Sequence, residues 1–280
     1  MTPAELTVVI PSHDGLPEVV DAVESALAQS VPPAAVVVVD DDSHDGTTQA
    51  LRSRFGERVT LVQGKFGSAG AARNAGWRAA RTAWIGFLDA DDLWFPDKLA
   101  VAARQLAASP AAGWFFSDGA FRTLAGELQP SWLATWAELR EPYLGRPVAE
   151  LIEVNFILTS SVVVRRDLLE RLGGFDASLT HAEDVDLWIR LARTAPATAS
   201  ARALVRYQHR PGGLTRDRER RLEGDIVVFG RLAADAALPR ALRARARRRC
   251  AVASYKLAIA CLREDRPRDA RRELRRAWLF

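Results

Sequence analysis

Cysteine is nearly absent from this chain: Cys250 and Cys261 are the only two in 280 residues. Neither stands in a CxxC or Cys/His spacing, which excludes the usual cysteine-ligated zinc site. Eleven residues apart on one helix, they would lie roughly 16 Å from each other, beyond disulfide reach. Buried packing is therefore their expected role. Lysine is almost as scarce, with only Lys65, Lys98 and Lys256, so nearly all positive charge is arginine. No run approaches the ~18–20 consecutive apolar residues of a membrane-spanning helix. The opening residues Met1-Thr2-Pro3-Ala4-Glu5 pass directly into Leu6-Thr7-Val8-Val9-Ile10, without the basic and long apolar segments of a secretory signal. The expectation is a soluble, cytoplasmic protein. A glycine-rich GxGxxG turn is also missing: Pro11-Ser12-His13-Asp14-Gly15 follows the first apolar run, which argues against a Rossmann dehydrogenase.

What is present is a chain 48% hydrophobic, enough for one large core with a small appendage. Thr7–Ile10, Val36–Val39, Val59–Val62, Trp84–Leu88 and Gly113–Ser117 read as buried strands. Between them, apolar residues recur at helical spacing over Leu16–Leu27, Thr47–Phe55, Ser68–Ala80 and Pro96–Ala108. This βαβ alternation implies an open, mostly parallel, Rossmann-like α/β sheet flanked by helices. Residues 120–160 are less regular and suit a substrate-shaping insertion, although Trp132, Trp136 and Tyr143 suit a core equally well. Strands are expected at Ser161–Val164 and Ala203–Tyr207, with helices at 166–172 and 184–194. From about 218 the pattern is helical, broken near Asp265-Arg266-Pro267.

Three strands end in polar, mostly acidic tips: Pro11-Ser12-His13-Asp14, Asp40-Asp41-Asp42-Ser43 and Asp89-Ala90-Asp91-Asp92. In an open α/β sheet the carboxyl ends of the strands are where ligands bind. Crowded carboxylates repel unless a cation or hydrogen-bond donors offset their charge. A hard cation such as Mg²⁺ or Mn²⁺ does so and can bridge carboxylates to a diphosphate. One such cluster alone is as easily a solvated turn; two on one sheet, with Glu183-Asp184 downstream, point to a ligand site. Glu183-Asp184 begins an amphipathic helix, where acidic residues serve as caps without further function. Beside a metal–diphosphate site, a carboxylate there could also take the proton of an attacking hydroxyl.

The ordered set Val8-Val9-Ile10-Pro11-Ser12, Val38-Val39-Asp40-Asp41-Asp42-Ser43-His44-Asp45-Gly46-Thr47, Ala72-Arg73-Asn74-Ala75-Gly76, Phe87-Leu88-Asp89-Ala90-Asp91-Asp92, Gly173-Gly174-Phe175-Asp176 and Glu183-Asp184-Val185-Asp186-Leu187-Trp188 resembles family 2 glycosyltransferases of GT-A fold. The resemblance spans about residues 6–210. It implies an inverting transfer from a nucleotide-sugar donor, UDP-linked in the first instance, of the kind used in bacterial polysaccharide biosynthesis. It further implies that Asp41 reads the base with Asp40 beside it, and that Pro11 and Ser12 place backbone against base and ribose. Arg73 matches a residue of the donor-binding helix. Asp89 and Asp91 would form the DxD motif, Asp91 as the direct ligand of Mn²⁺ or Mg²⁺, with Asp92 near the donor sugar. Asp184 would be the catalytic base and Glu183 would shape the acceptor side. His209 would touch diphosphate or metal, or equally would be a surface histidine at a strand end. The chain departs from the family pattern at Asp42, at His13 and in Gly64-Lys65-Phe66-Gly67, which loosens inference about the nucleotide and sugar.

A GT-A domain over 1–215 and a helical extension over 216–280 are the implied units. The alternative to an enzyme is a non-catalytic nucleotide-sugar or glycan-binding module. The acceptor is a glycan, a lipid-linked sugar or a small molecule. Arg240, Arg243, Arg245, Arg247, Arg248 and Arg249 read first as a solvated helix face, since apolar residues alternate with them. Their charge also permits peripheral contact with a membrane. No nucleic-acid motif accompanies them, so no nucleic-acid partner is expected.

Overall fold

The computed structural model describes residues 5–122, 127–135, 139–208 and 217–280. Strands β1 (Leu6–Ser12) and β2 (Ala35–Asp41) are rich in valine, whose branched side chain packs well on a pleated surface. They pair in parallel, from Thr7 opposite Ala35 to Ser12 opposite Asp40, so their polar tips lie side by side. β3 (Thr60–Gly64) follows β2, and β4 (Trp84–Phe87) joins the other edge of β1, both in parallel. The chain order therefore reverses at β1, which opens a crevice between the β1 and β4 tips. Helices α1 (Glu18–Leu27), α2 (Thr47–Phe55) and α3 (Ala69–Ala79) make the crossovers. Ser68 caps α3 by accepting the Ala71 N–H, one of the donors that a helix start leaves unsatisfied.

The second half adds β5 (Leu93–Trp94), α4 (Lys98–Ala108), β6 (Trp114–Arg122), β7 (Leu128–Gln129), β8 (Tyr143–Gly145), α5 (Val148–Glu153), β9 (Val163–Arg165), α6 (Arg166–Leu172), α7 (Glu183–Thr194) and β10 (Ala197–Tyr207). Among the described residues all ten strands form one sheet, ordered β3-β2-β1-β4-β9-β6-β10-β5, with β7 on β6 and β8 on β10. β5, β7, β8 and β9 run against the other six. Alternation along β1 divides the core into two. Leu6, Val8 and Ile10 face α1, α2 and α4, whereas Val9 faces α3, α6 and α7.

β10 begins at Ala197, six residues earlier than the apolar run at 203–207 suggests. Ala197-Thr198-Ala199-Ser200 has no strand-like apolar pattern, but it is buried and paired on both sides, with β6 and β8. Ser161 lies in the 3-10 turn Thr159–Ser161 rather than in β9. The irregular 120–160 region is organised by buried Asp118, whose carboxylate accepts from the N–H groups of Gly119, Trp132 and Leu133 and from the Ser131 hydroxyl.

The C-terminal part is helical: α8 (Arg218–Ala234), α9 (Arg240–Arg263) and α10 (Pro267–Leu279). The break at Glu264–Arg266 falls where Pro267 suggests, and a second break precedes α9 at Pro239. Val228, Phe229 and Leu232 of α8 pack in the same cluster as Val185 and Trp188 of α7. The extension is thus docked on the sheet, and the expected boundary at 215 lies outside the described residues. Cys250 and Cys261 are free and buried on α9. No helix of the described residues is long and apolar enough to cross a membrane.

Candidate active site

A cleft of about 1600 Å³ opens over the carboxyl ends of β1, β2 and β4. Pro11, Ser12, Asp41, Arg73, Asp89, Asp91, Asp92, Glu183 and Asp184 all line it; of the described expected residues, Asp40 alone does not. His209 lies outside the described residues.

Arg73 is the centre of the arrangement. α3 lies close enough to the sheet to present it because residue 76 is glycine: a Cβ there would sit 2.4 Å from Val9 Cγ1 and 2.9 Å from Val39 Cγ2. The guanidinium donates to Asp89 Oδ1 at 2.6 Å and to Glu183 Oε1 at 2.9 Å, so it ties the β4 tip to the start of α7. Burial works against its charge, but Asp89 and Glu183 outweigh burial and hold Arg73 protonated. One residue on, Asn74 binds both the N–H and the carbonyl of Phe175, at 2.9 and 2.8 Å. This secures the Gly173–Asp176 turn. At Gly174 (φ +76°) a side chain would lie 2.3 Å from Asn74 Oδ1, so glycine is required.

The β4 loop is held from beneath by the Thr159–Ser161 turn. The Ser160 hydroxyl donates to Asp92 Oδ2 at 2.5 Å and accepts the Asp89 N–H at 3.0 Å. The other Asp92 oxygen accepts the Gln208 N–H at 3.0 Å. Burial raises Asp92 well above the usual carboxylate range, and Asp89 and Asp91 add repulsion. The turn itself is fixed by Trp94 Nε1 on the Ser160 carbonyl and Lys98 Nζ on the Ser161 carbonyl, each 2.7 Å. Lys98 is fully buried, over the rings of Trp94 and Phe115, and burial lowers it to about 7.

The β2 tip is built differently. Asp40, 3% exposed, accepts the Ser43 N–H and the Thr48 hydroxyl. Asp41 accepts the N–H groups of Phe66 and Gly67, which fastens the turn before α3. On the opposite side, Asp184 accepts the Val185 N–H and the Asn155 amide, both at 2.7 Å. Burial raises Asp184, against those two donors, and pushes Glu183 up to about 7 against the pull of Arg73. Asn155 was not singled out in the sequence; an asparagine in an irregular segment carries no signal until the fold sets it against Asp184.

Three buried polar atoms on the cleft, Ser12 Oγ, Arg73 Nε and Asn155 Oδ1, have no partner among the described residues. Buried polar groups are normally satisfied, so their position suits a polar ligand. Among the described residues no three His, Cys, Asp or Glu side chains converge to hold an ion. Asp89 and Asp91 on the cleft nonetheless fit a cation shared with a substrate, because Mg²⁺ is held by one or two carboxylates plus phosphate oxygens.

The model of the family described as "Glycosyl transferase family 2" matches residues 7–173, more than half of the chain. The chain belongs to this family. The chain is similar to the succinoglycan biosynthesis proteins ExoO and ExoW of Rhizobium meliloti. ExoO is 34% identical over 64% of this chain and 53% of its own length; ExoW is 32% identical over 65% and 61%. The chain thus spans between half and two thirds of each. Among solved structures, Staphylococcus aureus TarS in complex with UDP-GlcNAc matches 90% of this chain and 72% of its own, with TM-score 0.68 and 20% identity. The mannosyltransferase PcManGT of Pyrobaculum calidifontis, in complex with GDP-Man and Mn²⁺, matches 99% and 77%, with TM-score 0.65 and 22% identity. These likenesses establish the GT-A fold, with α8–α10 as a helical extension. The family match ends at Gly173, before Glu183 and Asp184.

Proposed function

We propose that the chain transfers a sugar from a nucleoside diphosphate sugar to an acceptor hydroxyl, with inversion and with Asp184 as the base. The observation that carries this reading is the Asp89–Arg73–Glu183 bridge, which joins the two acidic elements across one cleft. Donor positioning falls to the β1, β2 and β4 tips, with Pro11, Ser12 and Asp41 toward the nucleoside and Asp92 toward the sugar. Asp40 acts on the nucleotide only through the loop it fixes. Asp89 and Asp91 would hold Mn²⁺ or Mg²⁺, which when bound offsets the charge of the diphosphate.

Asp184 accepts the proton of the acceptor hydroxyl as that oxygen bonds to the anomeric carbon. The bond from this carbon to the diphosphate oxygen breaks on the opposite face, and the nucleoside diphosphate leaves with the electron pair. Burial that raises Asp184 makes it a better base, since proton affinity rises with pKa. Asn155 and the Val185 N–H keep it ionised and oriented. Glu183 stays bound to Arg73 and shapes the acceptor side. The names of the relatives and of the ligand complexes support a nucleotide-sugar donor and a product in polysaccharide assembly.

The test is a panel of UDP- and GDP-sugars, with nucleoside diphosphate release followed in Mn²⁺, Mg²⁺ or chelator. Release with at least one donor, lowered by chelator, is expected. Failure to bind or turn over any donor with either metal would overturn the reading.

A further inference from the structure

The C-terminal helices are built into the acceptor side of the cleft. α8 passes directly over the turn leading into α7: a Cβ at Gly224 would lie 2.5 Å from the His181 carbonyl oxygen and 3.2 Å from Ala182 Cβ. α9 is fixed to the other support of Asp184. Arg249 donates to the carbonyls of Ile152 and Glu153 at the end of α5, and it pairs with Asp225 of α8 at 3.1 Å. Its guanidinium also lies over the Phe229 ring at 4.4 Å. Asn155, which holds Asp184, follows Glu153 by two residues. The pair of helices is thus anchored to both segments that position Asp184.

From this anchored pair, Arg218 and Arg221 of α8 and Arg248 and Lys256 of α9 border the cleft. Three and eight residues apart on their helices, each two share one helix face. All four are exposed, and none has a carboxylate partner among the described residues. Their neighbours Arg220, Arg245, Arg249 and Arg266 do have partners. The carboxylates that line the cleft beside them, Asp225 and Glu153, are already paired with Arg249 and Arg245, so the four cations are left to attract an anion. On the reading proposed above, the donor diphosphate would be neutralised by a divalent cation held at Asp89 and Asp91, which leaves these four cations for a second anion.

We propose that this wall binds a negatively charged acceptor, holding a phosphate group of that acceptor close to the hydroxyl that Asp184 deprotonates. Arginine forks match phosphate oxygens in pairs, which favours phosphate as the anion. The proposal rests on the transferase reading above and names its acceptor class. A phosphate on a soluble sugar and one in a lipid-linked sugar diphosphate present the same chemistry to the wall.

The experiment compares three probes carrying one sugar: its methyl glycoside, its 1-phosphate and its short-chain polyprenyl diphosphate. Each is tested with the full chain and with an Arg248→Glu/Lys256→Glu double variant. The full chain should use at least one phosphate probe tenfold or more better in kcat/KM than the methyl glycoside. That preference should fall at least tenfold in the variant and weaken with added salt. Which phosphate probe is preferred identifies the source. Equal use of the methyl glycoside, or an equal loss with all three probes, overturns the proposal. Two binding measurements by calorimetry separate it from the transferase reading. Loss of 1-phosphate binding in the variant, with nucleoside diphosphate binding intact, supports the wall; unchanged 1-phosphate binding overturns it. A chain that binds the 1-phosphate through these residues but binds no nucleoside diphosphate would sink the transferase reading instead.

Discussion

The tips of β2 and β4 carry the same motif of adjacent aspartates at the same end of the same sheet, yet their carboxylates are used differently. At the β2 tip, Asp40 is occupied by Ser43 and Thr48 of its own loop, and Asp41 by the backbone N–H groups of Phe66 and Gly67 in the neighbouring turn before α3. At the β4 tip the partners belong to other elements: Arg73 to α3, Ser160 to the Thr159–Ser161 turn, and Gln208 to the segment after β10. Hydrogen bonds within a loop or between adjacent loops shape those loops, whereas bonds from a helix or a distant turn join separate elements. The β4 tip is therefore tied to the α7 carboxylates through Arg73, while the β2 tip shapes its own side of the cleft; on the proposed reading the first would hold the diphosphate and the second the nucleoside.

Four expected outcomes test that contrast. The largest is for Asp184→Asn, which removes the base but keeps the hydrogen-bonding shape. Transfer should fall on the order of 10²–10⁴-fold while donor affinity stays within about twofold, checked by turnover and by calorimetry. Undiminished transfer would remove Asp184 from the mechanism. Next is Arg73→Met, which leaves Asp89 and Glu183 without their shared cation. A stability loss of about 3–5 kcal/mol is expected in urea titration, because breaking a buried pair strands the remaining charges. A loss well under about 1 kcal/mol would mean that the bridge does not hold the two halves together.

Smaller effects should separate the two tips directly. Ser160→Ala and Asp40→Asn should each cost about 1–3 kcal/mol of stability, as expected for buried groups that lose a partner. Only Ser160→Ala should also weaken donor affinity, since it frees the β4 loop. Equal effects on affinity would erase the distinction drawn between the tips. The last outcome, confined to the pH dependence of stability, concerns Lys98, which fixes the turn carrying Ser160. Its folded pKa, about 7, lies below its ordinary value of 10.5. Between those values the unfolded chain holds a proton that the folded chain does not, so this group makes stability rise with pH. The contribution is on the order of 1.4 kcal/mol per pH unit and is flat below about 7. Lys98→Met should abolish that slope in denaturation curves at pH 7 to 10, and an unchanged slope would place its origin elsewhere.

Much of the site was legible because its residues sit at strand ends and helix starts, which hydrophobic periodicity marks. Val8–Ile10 and Val36–Val39 locate the tips, and the apolar stripe Val185, Trp188, Ile189 locates the helix that begins at Glu183. What could not be read was of another kind. Asn155, Ser160 and Lys98 belong to segments that look ordinary in sequence, and they act through partners 29 to 68 residues away. The early start of β10 escaped for the same reason: Ala197–Ser200 is a strand only because β6 and β8 pair with it.

The sequence by itself determined the layered α/β architecture and the placement of acidic groups at the carboxyl ends, because period and burial are local properties of the chain; the strand order, with its reversal at β1, came only with the tertiary structure. The tertiary structure decided that Asp40 is used up by its own loop, whereas Asp41, Asp89, Asp91 and Asp92 line the cleft. It also decided that, of the arginines read as one amphipathic face, Arg248 and Arg249 line the cleft while Arg240, Arg243, Arg245 and Arg247 do not. Charge acquires its meaning from neighbours and solvent exclusion, and these exist only once α8 and α9 have docked on the sheet.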